Sequence, residues 1–196
     1  HDLMCKIAEV VVAGGVRRSA LISLSNLQDD RIRDAKMGAW DVLNPQRALA
    51  NNSVVYTQKP NIGTFMREWI SLYDSKSGER GMFYRGAAEE QVAKYGKRET
   101  GHKWGTNPCS EIILRPKQFC NLTEVIARAD DTKADLSRKI KLAAKLGTMQ
   151  ACLTNFKGLT KRWTINTEEE RSVSMIYEKS NILLIILGIV LVIGGI

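Results

Sequence analysis

The chain has few of the residues that usually advertise a site. It contains two histidines, His1 and His102, which are too few and too far apart for a histidine-based zinc site. Its four cysteines, Cys5, Cys109, Cys120 and Cys152, form no CxxC pair and show no metal-ligand spacing. The sequence therefore predicts no metal site. Aromatic residues make up 7% of the chain and are not interleaved with basic ones, which argues against a base-stacking platform. There is no GxGxxG and no GKS or GKT, so neither a dinucleotide fingerprint nor a P-loop is present. No secretory signal is visible, since the chain begins His-Asp and its first apolar residues have helical spacing. The expectation is a segment of a longer gene product in a reducing cytoplasm, where thiols cycle rather than staple.

Long apolar runs are also lacking. Ile182 to Ile196 consists only of Ile, Leu, Val and Gly, but it is 15 residues long. A bilayer core asks for about 20, with a lower limit near ~17. Three readings of residues 182–196 stay open: a translated non-homologous extension, a short membrane anchor, and a buried helix weakened by Gly188, Gly194 and Gly195. Membrane association is expected only through this run. Acidic charge is in deficit, with 21 Asp and Glu against 29 Lys and Arg, a net charge of +8. That favours anionic ligands such as nucleotides. The basic residues are scattered rather than blocked, so no direct nucleic-acid partner is expected.

What is present reads as an alternation of strands and helices. Residues 2–12 carry Leu3, Met4, Ile7, Ala8, Val11 and Val12 at helical spacing and predict a buried helix. Ala13-Gly14-Gly15 ends it, and Ala20–Leu24 reads as a strand. Asn26 to Gly38 reads as a charged helix with Asp34 and Lys36 on a solvated face. Ser53–Thr57 is a second strand, and Asn61–Asp74 a helix with Phe65, Trp69, Ile70 and Tyr73 on one side. A turn-rich loop follows to Gly81, then a short helix from Ala87 to Tyr95 and a polar loop to Gly105. Glu111–Leu114 and Phe119–Val125 read as strands. A long helix begins at Thr132 or Asp135 and runs to about Phe156. Cys5 and Cys152 read as core residues. The pattern predicts an α/β architecture with parallel strands.

The most informative stretch is Asn107-Pro108-Cys109-Ser110-Glu111, followed by Cys120. In an extended segment, residues i, i+2 and i+4 share a face, which would let Asn107, Cys109 and Glu111 converge on one small substrate. Pro108 disfavours helix at Asn107. By itself an N-x-C-x-E spacing arises by chance, and a lone cysteine is usually a small hydrophobe. The neighbouring text changes the weighing. Gly105–Ile112 and Phe119–Val125 resemble the active-site finger loop of ribonucleotide reductases, and the interval from Cys109 to Cys120 resembles the adenosylcobalamin-dependent ribonucleoside-triphosphate reductases. Ala13–Ala20, Asn51–Val55 and Gly81–Arg85 support the resemblance, which runs from residue 1 to about Arg171.

That resemblance implies a partial ten-stranded α/β barrel over residues 1–171, with 172–196 a non-homologous apolar tail ending in an apolar helix. It implies thiyl-radical reduction of a ribonucleoside triphosphate with adenosylcobalamin as cofactor. Cys109 would form the thiyl radical, Glu111 would act as general base, and Asn107 would hydrogen-bond the substrate. Cys120 would be one of two thiols that reduce the substrate and are reset by a thioredoxin-like reductant. The other thiol would lie in a part of the enzyme outside this chain, so the chain alone is expected to be inactive. Gly14, Gly15, Arg17, Arg18 and Ser19 resemble the loop that couples an allosteric deoxynucleotide to base selection. Two alternatives stay open: a reductase whose radical comes from a separate di-iron subunit, and a small basic membrane-tethered protein with a vestigial reductase segment.

Overall fold

The computed structural model describes residues 1–12, 19–170 and 173–179, with the backbone alone at 10–12 and 173–179. The chain divides into two compact units, His1–Ser110 and Glu111–Ile196. Gly14, Gly15, Arg17 and Arg18 of the expected effector loop lie outside the described residues, as does the apolar run 182–196. Ser19 is described and lies just before the first strand. Among the described residues, no helix is long and apolar enough to cross a membrane.

The first unit is built on a three-stranded parallel sheet in the order β1 (Leu21–Ser25), β2 (Ala50–Tyr56), β3 (Gly81–Tyr84). Leu21 pairs with Ala50 and Ser25 with Val54 on one side of β2; Ser53 pairs with Gly81 and Tyr56 with Tyr84 on the other. Parallel neighbours need crossovers, and helices supply them. Between β1 and β2 run α2 (Asp30–Arg33), α3 (Trp40–Leu43) and a 3-10 turn (Pro45–Leu49); between β2 and β3 runs α4 (Ile62–Asp74). Helix α1 (Asp2–Val12) precedes the sheet, and α5 (Arg85–Tyr95) and β4 (Gly105–Thr106) follow it. β2 alternates: Ala50, Asn52, Val54 and Tyr56 are buried, whereas Asn51, Ser53 and Val55 face the other way. Asn61 caps α4 by accepting from the Thr64 amide, and Gly96 ends α5 in the left-handed region at φ 60°.

A charged knot ties this unit together. The Glu68 carboxylate, on the inner face of α4, accepts from Arg33 Nε and Nη2 at 3.1 and 2.8 Å, and from Arg80 Nε and Nη2 at 3.0 Å each. Arg80 also donates to Ser25 Oγ and to the carbonyls of Asn26, Leu27 and Asp29. Two guanidinium groups thus close the end of β1 onto α4 and the start of β3. Burial of Glu68 works against its charge, but the hydrogen bonds from Arg80 and Arg33 outweigh it and hold the carboxyl below its ordinary range.

The second unit holds β5 (Ile113–Leu114), β6 (Asn121–Ala127), α6 (Lys133–Ala151), α7 (Lys161–Glu169) and β7 (Val173–Lys179). β6 and β7 pair in parallel from Asn121 with Val173 to Ala127 with Lys179, with the two helices as the crossover. Thr132 and Asp135 cap α6 reciprocally: each side chain accepts from the other residue's backbone amide. The buried face of α6 is Ala143, Gly147 and Ala151, a column of small residues that lets the helix approach closely.

Several expectations are corrected. The span from Asn26 to Gly38 forms only the single turn of α2. Asp34 is exposed as expected, but Lys36 is buried, because Glu79 Oε1 at 3.0 Å and the Ala50 carbonyl at 2.5 Å replace its hydration. The apolar groups of α1 are not all buried: Cys5 and Ala8 are, whereas Leu3, Met4 and Ile7 are exposed. Trp69, Ile70 and Tyr73 of α4 are likewise exposed. α6 stops at Ala151 instead of continuing to Phe156, and Cys152 is exposed rather than in the core. β7 falls within the tail and had no strand signal assigned to it. The described residues form a mixed α/β architecture with parallel strands, as expected.

Candidate functional site

The route to Cys109 begins at Trp104, which is fully buried. Its indole Nε1 donates to Glu89 Oε2 at 2.5 Å, and the Gly101 amide donates to Glu89 Oε1 at 2.6 Å. These two hydrogen bonds, the Gly101 one first, hold the Glu89 carboxyl below its ordinary range. Arg85 Nε donates to the Trp104 carbonyl at 2.6 Å. The polar loop after α5 is therefore fastened to that helix at one indole, and β4 leaves it in a fixed place.

The Cys109 thiol then sits on a tight turn. The Ser110 amide donates to the Asn107 carbonyl at 3.0 Å, and Ser110 takes a left-handed φ of 64°. Asn at the first and Pro at the second position of such a turn are favoured choices. Asn51, on the open face of β2, donates through Nδ2 to the Pro108 carbonyl at 2.8 Å. Asn51 fixes the turn from the sheet, and Cys109 is exposed at its tip. This corrects the extended reading. Pro108 does keep the residue before it out of the helix, but the chain bends after it, so strand alternation does not align Asn107, Cys109 and Glu111.

The boundary between the compact units falls between Ser110 and Glu111. Asn107 and Cys109 belong to the first unit and share its turn; Glu111 and Cys120 belong to the second. Glu111 is half-buried, and its Oε2 is buried with no hydrogen-bond partner among the described residues. A buried acceptor without a donor carries a desolvation cost that a ligand's hydroxyl would relieve. Cys120 is half-buried immediately before β6.

The segment between them is well anchored. Arg115 is buried and donates to Glu169 Oε2 at 2.5 Å and to the Asn166 carbonyl at 3.3 Å. Asn166 Nδ2 reaches back to the carbonyls of Pro116 and Lys117 at 2.8 and 3.0 Å. Gln118 Oε1 accepts from the Arg115 amide, and its Nε2 donates to the Glu170 carbonyl. Phe119 packs on Phe156 and Trp163 at centroid distances of 4.6 and 4.7 Å. Asn107 and Cys109 thus follow the fastened Trp104, and Cys120 follows the anchored Arg115–Phe119 run.

Sequence reasoning missed Asn51 as the residue that holds the turn, although Asn51–Val55 had drawn attention. It also missed a second group of potential ligand atoms, His1, Asp2 and Cys5. The signal available there was the i, i+4 spacing of His1 and Cys5 on one helical face.

Comparison with known proteins gives one consistent name. The chain is 33% identical over 129 residues to an adenosylcobalamin-dependent ribonucleoside-triphosphate reductase of Levilactobacillus brevis, covering 63% of this chain and 16% of that protein. It is 29% identical over 184 residues to the Lactobacillus gasseri protein of the same name, covering 89% of this chain and 23% of that protein. The Lactobacillus leichmannii protein of that name is 31% identical over 152 residues, covering 74% of this chain and 19% of its own length. The chain therefore spans about a fifth of the length of the curated relatives it matches. No family model matches the chain, and no solved structure matches it.

Proposed function

We propose that this chain is a segment of the catalytic polypeptide of an adenosylcobalamin-dependent ribonucleoside-triphosphate reductase, and that it carries the finger loop of the active site. The observation that carries the reading is the thiol on the Asn107–Ser110 turn: exposed, held from β2 by Asn51, and within a chain that matches reductases of this name across up to 89% of its length. On this reading, β1, β2 and β3 and the β6–β7 pair contribute parallel strands to the α/β barrel of the longer enzyme.

Adenosylcobalamin, when bound, supplies the radical chemistry. An exposed thiol on a fixed turn fits that role, because it must meet both a cofactor and a ribose. As a thiyl, its own S–H hydrogen having been removed by the radical that the cofactor would supply, Cys109 would take the hydrogen from the 3′ carbon of the ribose and return it at the end of the reaction, a feasible exchange because S–H and activated C–H bonds are similar in strength. Glu111 takes the proton of the 3′ hydroxyl, and its partnerless Oε2 is the atom suited to it. Loss of that proton helps expel the 2′ hydroxyl, otherwise a poor leaving group, which leaves as water with a proton from one of the two reducing thiols. Asn107 holds the ribose by hydrogen bonding and keeps the reacting atoms in line. Cys120 donates a hydrogen as one of two thiols that end as a disulfide, which a thioredoxin-like dithiol reduces by exchange. Gly14, Gly15, Arg17, Arg18 and Ser19 would belong to the loop that couples the effector deoxynucleotide to base selection, where arginines can pair with phosphate.

The test is made on a polypeptide that joins this chain to the remaining reductase sequence. Deoxynucleotide formation from ribonucleoside triphosphates is measured with a dithiol reductant, with and without adenosylcobalamin. The expected result is turnover only with the cofactor, abolished by Cys109→Ser. Equal turnover without adenosylcobalamin overturns the cofactor assignment, and full turnover by Cys109→Ser overturns the site.

A further inference from the structure

The reductase reading leaves the first turn of the chain without a role, and the side chains there are arranged for one. Asn52, nearly fully buried on β2, donates through Nδ2 to Glu79 Oε2 at 2.8 Å. Glu79, which also receives Lys36 Nζ on its other oxygen, can only accept, so the amide orientation of Asn52 is fixed. Its Oδ1 then faces His1 Nε2 at 2.8 Å and must accept. Nε2 therefore carries the imidazole proton, and in the neutral ring the lone pair is on Nδ1. An outer partner that sets the tautomer in this way is what a ligating histidine needs.

The Nδ1 lone pair has two neighbours. Asp2 Oδ1 lies at 3.5 Å and Cys5 Sγ at 3.8 Å, and the ligand-type atoms of the three residues all lie within 4.8 Å of one another. Zinc-type bond lengths in a tetrahedron give N–O and N–S edges of about 3.4 and 3.6 Å. The two separations from Nδ1 are within a few tenths of an ångström of those edges, and the Asp2–Cys5 pair lies within 4.8 Å. Arg47 grips the Asp2 carboxylate, with Nε on Oδ1 at 2.6 Å and Nη2 on Oδ2 at 2.7 Å. It orients Oδ1, and the Gln46 side chain also hydrogen-bonds this carboxylate. Cys5 is fully buried, so its sulfur does not meet bulk solvent as an ordinary surface thiol would.

We propose that His1 Nδ1, Asp2 Oδ1 and Cys5 Sγ form a binding site for a zinc-type divalent cation, with water in the fourth position. An imidazole, a thiolate and one carboxylate suit zinc or cobalt(II) and are unsuited to magnesium or calcium. On binding, the Cys5 S–H bond breaks, the proton passes to solvent, and a sulfur–metal bond forms with no change of oxidation state. Asn52 is a positioning residue for this site. The proposal does not depend on the reductase reading.

The test is a cobalt(II) titration of the full chain carrying a short extension ahead of His1, so that no free α-amine competes. The expected result is one cobalt per chain with a thiolate-to-cobalt charge-transfer band. That band disappears in Cys5→Ser, whose folding is checked by far-UV circular dichroism. It persists in the triple variant Cys109→Ser, Cys120→Ser, Cys152→Ser, which leaves the proposed ligands intact. Asn52→Ala weakens the affinity by about 10- to 100-fold. Absence of the band in the unaltered chain, its survival in Cys5→Ser, or its loss in the triple variant overturns the proposal.

Discussion

Glu68→Gln is the most decisive single perturbation of this fold. Glu68 is 3% exposed and is the carboxylate on which Arg80, 1% exposed, and Arg33 both converge. Glutamine keeps the shape and removes the charge, so Arg80 is left buried beside a neutral group. Removing one partner of a buried pair costs about 3–5 kcal/mol, because the remaining ion has lost both water and counter-charge. A domain is stable by only about 5–15 kcal/mol, so this is a large share of the total. With a urea slope of about 1–3 kcal/mol per molar, a loss of about 3 kcal/mol lowers the midpoint by about 1–3 M. The assay is urea unfolding followed by far-UV circular dichroism at neutral pH and again in acid. Acid adds a second constraint. The folded Glu68 carboxyl titrates below its ordinary 4.5, so its contribution is fully present above the unfolded value and is lost as pH falls through the folded one. The gap between wild type and Glu68→Gln must therefore narrow as pH falls below the unfolded value of 4.5. A midpoint shift under about 0.3 M at neutral pH would falsify the knot as a source of stability. A gap that stays constant into acid would show that the charge is not what matters.

Three further outcomes follow from particular contacts. Alkylation of the folded chain modifies the exposed Cys109 and Cys152 first and Cys5 last, since Cys5 is buried and burial pushes its thiol pKa up; mass spectrometry with Cys5 labelled early refutes this. Thr132→Ala removes one side of the reciprocal cap on α6 and is expected to cost about 0.5–2 kcal/mol in thermal or urea unfolding. Gly86→Ala brings a methyl to 2.8 Å from the Thr57 carbonyl and into the Tyr84 ring. Backbone cannot swing aside as a side-chain tip can, so a loss of about 1–3 kcal/mol is expected, and an unchanged melting temperature would contradict it.

What could be read from the sequence was local, and what could not be read depended on distant partners. Strands β1 and β2, helix α4 and its cap, and the Thr132–Asp135 cap all follow from residues within a turn of one another. Cys109 and Cys120 were legible as residues, but the bend that presents Cys109 was not. Pro108 was read for its effect on Asn107, whereas its place second in a turn decided the backbone. Asn51, which holds that turn, lies 57 residues away and offers no local signal. Lys36 went wrong for the same reason. A lysine among charged neighbours reads as solvated, and only Glu79, 43 residues on, makes its burial tolerable.

Glu68 is the instructive case, because its burial was available in the pattern. It lies three residues after Phe65 and four before Leu72, on the helical face those two residues define. A carboxylate placed within an apolar stripe must neutralise or find a cation. The chain has arginines to spare, and the two that answer, Arg33 and Arg80, flank the elements that α4 covers. The same logic applies to the first turn of the chain. His1 and Cys5 share a face at i, i+4, a spacing visible without any structure, but only the buried amide of Asn52 fixes which nitrogen of His1 carries the lone pair. A charged or ligating side chain on a face destined for burial therefore implies a long-range partner. The search for that partner, rather than the helix or strand assignment, is where function enters the sequence.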